Sequence, residues 1–289
     1  MDGLLYAARI VAGKRMPIAA GLFYEPSRER LLAQLDWAFS HPLGPGGLVG
    51  GDAEAVVAPH GAFFYSGPVA AHSFNAVARG ADTVYVIVGP NHTGVGAGVS
   101  VYPEGWWSTP LGDVEVEKII VEKLVSAAGA VRDLIGHLYE HSVEVQLPFI
   151  QYVHGKLGGV SRLVAVSVYD QSPSMMESLG RGLAGLEPPE GERLVVVFSA
   201  NLSSYIGDED ARRLDGLLLE ALESLDPREI YRVAAEERIP SCSIGILAAA
   251  AVYAAERGLK PFKLVYATSG DTGGDKNSVV GYAAVAFKG

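Results

Sequence analysis

The stretch TVYVIVGPNHTG, Thr83–Gly94, decides the fold class. Thr83 to Val88 is an unbroken apolar and β-branched run, so it leaves no face for water and reads as a strand covered on both sides. The chain then turns at a Pro-Asn pair and presents His92. The segment AVVAPHGAFFYSG, Ala55–Gly67, has the same plan: a short apolar strand, Pro59, then His60. Working outward, strand candidates recur at Gly98–Tyr102, Leu163–Val168, Leu194–Phe198, Pro261–Ala267 and Val279–Ala286. Between them lie helical patterns. SRERLLAQLDWAF opens at a capping Ser27, VEKIIVEKLVSAA repeats apolar residues at helical spacing, and DARRLDGLLLEALESL stops before Asp226-Pro227. This alternation predicts an α/β fold with a mixed, mostly parallel central sheet flanked by helices on both faces. There is no repeat of fixed period and no long linker, and GPGGLVGG, Gly44–Gly51, reads as a loop, so residues 1–289 are expected to form one domain.

Composition narrows the function. With 23 Lys+Arg against 33 Asp+Glu, the net charge of −10 argues against nucleic acid as a partner, because that binding needs cations to displace phosphate counterions. The N-terminal MDGLLYAARIVAGKRM carries Asp2 where a secretory leader has a basic residue, and its apolar stretch ends at Gly13-Lys14-Arg15. The longest uncharged run, Ile239–Ala255, holds Pro, Ser and Cys at its start and then turns Ala-rich, so a buried helix is expected there and no membrane partner. One cysteine, Cys242, excludes an internal disulfide, and a cytoplasmic location is expected.

Loops leaving the carboxyl ends of parallel strands form the crevice in which such sheets bind ligands. His60, His92 and Asn201, which follows RLVVVFSA, all fall there. Two neutral imidazoles plus the thiolate of Cys242, set just ahead of the Ala-rich helix, make a transition-metal donor set. The same residues also suit a plainer reading, in which each histidine is hydrogen-bonded in its loop and the cysteine is a small buried hydrophobe. In LYEHSVEVQLPFIQYVHG, Leu138–Gly155, His141 and Glu144 are three apart and on a helix would share a face. Such a carboxylate could orient the imidazole or share its proton, or the two could be an ordinary surface pair.

Two glycine-rich pieces, HTGVGAGVS and TSGDTGGDKNS, lack the helix context and the Lys spacing of nucleotide loops and read as turns at a pocket rim. In GWWSTPLGD, Trp106 and Trp107 precede a Thr-Pro turn and either line a ligand groove or pack over a sheet edge.

Taken in order, RMPIAAGLFYEP, APHGAFFYSG, VGPNHTG, STPLGDVEV, EHSVEVQLPFIQ, FSANLSSY, SCSIGI and YATSGDTGGDKNSVVGYAAVAF resemble the Memo family, also described as protein B of the AmmeMemoRadiSam system. The resemblance covers nearly the whole chain. It implies a fold similar to the catalytic subunits of class III extradiol dioxygenases, which are non-heme iron enzymes. It further implies that His60, His92 and Cys242 hold iron or copper in one pocket, with His141 and Glu144 nearby for proton handling and Tyr65 at the flank. Copper or iron binding, redox activity and phosphopeptide binding have all been associated with the family. The chain departs from the family's S-x-D-L-x-H pattern, since SANLSS puts Asn201 at the acid and Ser204 at the histidine. Asn201 cannot serve as an anionic ligand or base, and Ser204 cannot replace an imidazole near neutral pH. The PHAGY pattern has likewise become Pro59-His60-Gly61-Ala62-Phe63, which keeps the histidine and loses a phenol.

Three functions follow from these residues. In the first, a metal-dependent oxidoreductase or oxygenase uses His60, His92 and Cys242 as ligands and His141, Glu144 and Asn201 as catalytic groups. In the second, a non-catalytic module uses the altered pocket, with Tyr65 and Ser204, to bind a peptide or small metabolite. A hydrolase is the third, and nothing in the sequence selects it. The sequence sets no oligomeric state.

Overall fold

The computed structural model describes residues 9–289. The leader reading of the first segment therefore lies, for residues 1–8, outside the described residues. In chain order the elements are β1 (Ile10–Val11), β2 (Lys14–Arg15), α1 (Arg28–Ser40), β3 (Ala55–Ala58), α2 (Phe63–Val77), β4 (Thr83–Pro90), β5 (Val99–Val101), β6 (Trp106–Thr109), β7 (Gly112–Val116), α3 (Lys118–Ala128) and β8 (Val131–Arg132). The second half adds α4 (Leu147–Leu157), β9 (Ser161–Val168), α5 (Pro173–Ala184), β10 (Arg193–Ser199), β11 (Ser204–Ile206), α6 (Asp208–Glu223), α7 (Pro227–Glu236), α8 (Ile244–Arg257), β12 (Lys260–Thr268) and β13 (Val279–Lys288).

The expected α/β class is observed. The strands form one mixed sheet in the order β1-β2-β6-β7-β9-β4-β10-β3-β13-β11, with β12 on β13 and β5 on β9. Its centre is parallel: β9, β4, β10 and β3 run side by side, and β13 then pairs antiparallel with β3. All eight residues of β4 are buried, as its unbroken apolar run requires. Because β3 pairs with β10 on one side and β13 on the other, early and late parts of the chain share this sheet and one continuous core.

Local signals account for several boundaries. Ser27 caps α1 by accepting the Arg30 N–H at 3.3 Å. Asp226, expected to stop one helix, also starts the next, since its Oδ1 accepts the Arg228 N–H at 2.9 Å with Pro227 in the first helical position. The Ala-rich run becomes α8, buried from Gly245 through Ala254. It packs on α5 where Gly180 leaves no room for a side chain: a Cβ there would lie 2.6 Å from Val252 Cβ. Among the described residues no helix is long and apolar enough to cross a membrane.

GWWSTPLGD forms a hairpin, β6 and β7, between the short strand β2 and β9 near one end of the sheet. Trp107 is buried with the Arg15 guanidinium 4.0 Å above its ring and so packs against the sheet, while Trp106 is partly exposed and lines a small cleft with Glu104, Glu115 and Lys118.

Candidate metal centre

Three neighbouring parallel strands each deliver one polar residue two positions past their ends: His60 after β3, His92 after β4 and Asn201 after β10. The loop ahead of α8 brings Cys242 to the same point, held there because Ser241 Oγ donates to the Asn201 carbonyl at 3.2 Å and the Asn201 N–H donates to Ser243 Oγ at 3.3 Å. One donor atom from each of His60, His92 and Cys242 lies within 4.8 Å of the others. Cys242 Sγ is 3.5 Å from His60 Nε2, and the His60 and His92 ring centroids are 5.2 Å apart. A metal site needs donors that converge in this way with their lone pairs bare.

The hydrogen bonds behind the rings decide which nitrogens are bare. Ser199 Oγ has one proton, which it donates to the Ser142 carbonyl at 2.7 Å. Gln146 Nε2 donates to Ser199 Oγ at 2.9 Å, and its amide orientation is fixed because the same nitrogen donates to the Pro59 carbonyl at 3.0 Å. The remaining partner of Ser199 Oγ, His60 Nδ1 at 3.2 Å, must therefore be the donor. This leaves His60 Nε2 as the free lone pair, facing Cys242.

His92 is set by a carboxylate. Its Nδ1 lies 3.0 Å from Glu140 Oε1, an acceptor, so Nδ1 carries the proton and Nε2 is available to a metal. Glu140 is buried and also accepts the backbone N–H groups of His92 at 2.5 Å, His141 at 2.9 Å and Ser142 at 2.8 Å. Burial pushes its pKa up, but the His92 hydrogen bond, the charges of His92 and His141 and the Ser142 N–H outweigh burial and hold it at about 2.

The same balance runs through the ligands. Burial raises the Cys242 thiol, yet hydrogen bonds to His60 and His92 bring it down to about 5. Burial lowers His92, while Cys242 and Glu140 together carry it up to about 10. In the metal-free protein at neutral pH this is a thiolate beside an imidazolium. A metal that takes the thiolate and the His92 lone pair displaces that proton.

His141 stacks between Phe23, at 4.3 Å, and His92, at 4.7 Å, with its Nδ1 3.3 Å from Glu140 Oε1. Burial and then the charge of His60 lower it to about 3, against the pull of Glu140, so it stands as a neutral imidazole. Tyr65, Asn201 and Ser204 join these histidines and Cys242 in lining one cavity of about 670 Å³. Asn201 Oδ1 accepts the His60 N–H at 3.0 Å and so pins the ligand loop, while Ser204 N–H donates to the Pro240 carbonyl at 2.8 Å.

Glu144 is placed elsewhere. Its carboxylate accepts from Arg15 Nη1 at 2.6 Å, the backbone N–H groups of Ile18 and Ala19, and the Tyr24 hydroxyl at 2.7 Å, and it does not line the cavity. The expected helical face shared with His141 does not form. Residue 141 lies in irregular chain, and a turn at residues 142–143 and a single 3-10 turn, Glu144–Gln146, separate it from α4. The carboxylate beside the imidazoles is Glu140, whose immediate proximity to His141 in EHSVE was the available signal. Ser199 and Gln146 had none, because their roles arise only once β10 and the 3-10 turn are packed together.

Comparison with known proteins agrees with the sequence resemblance. The family profile described as Memo-like protein matches residues 15–286. Among curated relatives, a MEMO1 family protein of Aeropyrum pernix is 41% identical over 279 residues, covering 94% of this chain and 98% of the relative. One from Metallosphaera sedula is 38% identical over 283 residues, covering 95% and 99%, and one from Pyrobaculum aerophilum is 39% identical over 280 residues, covering 94% and 98%.

Proposed function

We propose, from the premise that this chain belongs to the Memo-like family, that it holds iron or copper at His60, His92 and Cys242 and performs redox or oxygenase chemistry on a small molecule or peptide in the adjoining cavity. The observation that carries the reading is the pair of fixed ring orientations: Ser199 and Glu140 each take one imidazole Nδ1–H and leave both Nε2 atoms turned toward a thiol brought down to about 5, with His92 Nε2 giving up its proton when a metal binds. Two imidazoles and a thiolate suit a borderline-soft ion better than calcium or magnesium. When bound, the metal supplies electron transfer or polarises a ligand at the cavity floor. Glu140 keeps His92 oriented and ionises well below neutral pH, and His141, neutral and facing the cavity, is placed to accept a hydrogen bond from a bound ligand. The net charge of −10, the lack of a membrane-length apolar helix among the described residues and the single cysteine fit a protein that works in the cytoplasm without nucleic acid or membrane.

A second reading has one specific observation behind it. Asn201 and Ser204 both face the cavity, where the family pattern has an acid and a histidine, and this suits a pocket that binds without turning over. Anaerobic titration with ferrous iron or cuprous copper separates the two. The metal reading expects about one equivalent on the parent chain and loss of that uptake in His60→Ala and Cys242→Ala. Unchanged uptake in both variants rejects the site.

A further inference from the structure

The mouth of the cavity differs chemically from its floor. Three phenols line it, Tyr65 from α2, Tyr205 from β11 and Tyr282 from β13. Tyr205 adopts left-handed backbone, φ 62°, where the pairing of β11 with β13 loses register between Ser204, opposite Val280, and Ile206, opposite Val279. Among the described residues the other non-glycine positions with positive φ are Ala12, Leu225 and Arg238, in a turn or at helix ends, so Tyr205 is the aromatic exception there. A bulge redirects the side chain it carries, and an aromatic residue adopts this backbone only at a cost. Burial does not offset that cost, since Tyr205 is 79% exposed.

The other two phenols stand on anchored backbone. Thr272 Oγ1 donates to the Tyr65 carbonyl at 3.0 Å, tying the start of α2 to the turn after β12. Tyr282 is buried with its hydroxyl against Gly61, where an added Cβ would stand 2.7 Å from it, next in sequence to His60. Burial raises the Tyr282 pKa, and Tyr205 and Tyr65 add to the effect, so the three phenols share one electrostatic neighbourhood.

Charge at the mouth has one sign. Asp275 lines the cavity, its Oδ1 engaged by the backbone and side-chain N–H groups of Asn277 at 2.9 Å, which leaves Oδ2 open. Among the described residues no Lys or Arg lines the cavity. An anionic ligand group would find no Lys or Arg there. Electron-rich rings with one carboxylate suit the opposite charge, because the quadrupole of each ring attracts a cation.

We propose that the mouth of this cavity binds an organic ammonium group, held among Tyr65, Tyr205 and Tyr282 and balanced by Asp275. The inference rests on the reading of the cavity as the ligand site, and it assigns the ligand a cationic end directed away from the metal donors.

Choline and its uncharged isostere 3,3-dimethylbutan-1-ol test it, titrated calorimetrically into the metal-stripped full chain at constant ionic strength. Choline is expected to bind about fivefold or more tightly than the alcohol, and Tyr205→Ala and Asp275→Asn each to reduce that preference to about twofold or less. Both positions are exposed, and melting curves confirm that the variants fold. Equal affinity for the two probes, no choline binding, or an unchanged preference in both variants overturns the inference. Ferrous uptake measured on the same preparations reports the metal reading separately, so a chain that loads iron yet ignores choline loses only this proposal.

Discussion

Two glutamates four residues apart, Glu140 and Glu144, give the sharpest test of how the site is held. Glu140 accepts four N–H groups, with three on Oε1, from His92 Nδ1, His141 N and Ser142 N, and the His92 backbone N–H on Oε2. Glu140→Gln can keep its oxygen at only one of these places. In the better orientation the new amide NH₂ faces the His92 N–H, so one charge-assisted bond becomes a donor-donor contact and the other three lose the charge. Removing the carboxylate that orients a ligating histidine costs about 10- to 100-fold in metal affinity, or about 1.4–2.7 kcal/mol. Glu144→Gln is the control. Its carboxylate pairs with Arg15 with both side chains fully buried and touches no metal donor, so its loss is expected to cost about 3–5 kcal/mol of stability and to change affinity in the folded fraction less than about threefold. The assays are anaerobic competition for ferrous iron against a chromophoric chelator and urea unfolding of the metal-free chains. Glu140→Gln with parental affinity, or Glu144→Gln weakening the metal as much as Glu140→Gln, would refute the assignment of the two carboxylates.

Acid should destabilise the metal-free protein early. His141 and His137 are each held at about 3, the first by burial and His60, the second by burial and the Arg15 charge, so below about 6.5 these two groups together bind up to two more protons in the unfolded chain than in the native one. Stability then falls as pH falls, by as much as about 2.7 kcal/mol per pH unit for two protons, and the depressed Glu140 adds loss of the same sign below its usual value of 4.5 as pH drops toward about 2. Urea midpoints measured from pH 7 to pH 4 that stay level contradict this. Restoring the family residues with Asn201→Asp and Ser204→His adds an acid and an imidazole to the cavity wall, and ferrous affinity is expected to rise about 10-fold; calorimetry showing no gain would favour the binding reading.

The strands were readable because apolar runs such as Thr83–Val88 leave no polar face, and the positions of His60, His92 and Asn201 followed from the carboxyl-end rule without further information. The α2 helix was less readable, because Gly67 and Pro68 interrupt an otherwise helical segment whose burial on most sides erases the usual polar stripe. The β6 and β7 hairpin hid for a related reason: its stability comes from pairing with β2 and β9 and from Arg15 over Trp107, contacts between residues far apart in the chain. At the site, three-residue spacing favoured Glu144 only on the assumption of a helix through residue 141. Irregular chain there instead turns two successive N–H groups, of His141 and Ser142, toward Glu140, while the loop after β4 brings the His92 N–H and imidazole, and no periodicity encodes that convergence.

Asn201 shows why an altered wall need not disturb the donors. The acid of the family pattern and the amide of this chain share one capability, an oxygen that accepts the His60 N–H, and that bond is present at 3.0 Å. What the amide changes is its other end, which becomes a donor, so the substitution acts on whatever shares the cavity with it and leaves the His60 loop in place. Ser204 alters the same wall, one residue before the bulge that presents Tyr205. Both departures thus fall between the His60 loop and the phenols of the mouth, while His60, its Ser199 partner, His92, its Glu140 partner and Cys242 form a self-contained set. On the proposed metal reading the chain's difference from the family pattern is a difference in what it binds beside the metal, and the candidate donors are the part that is kept.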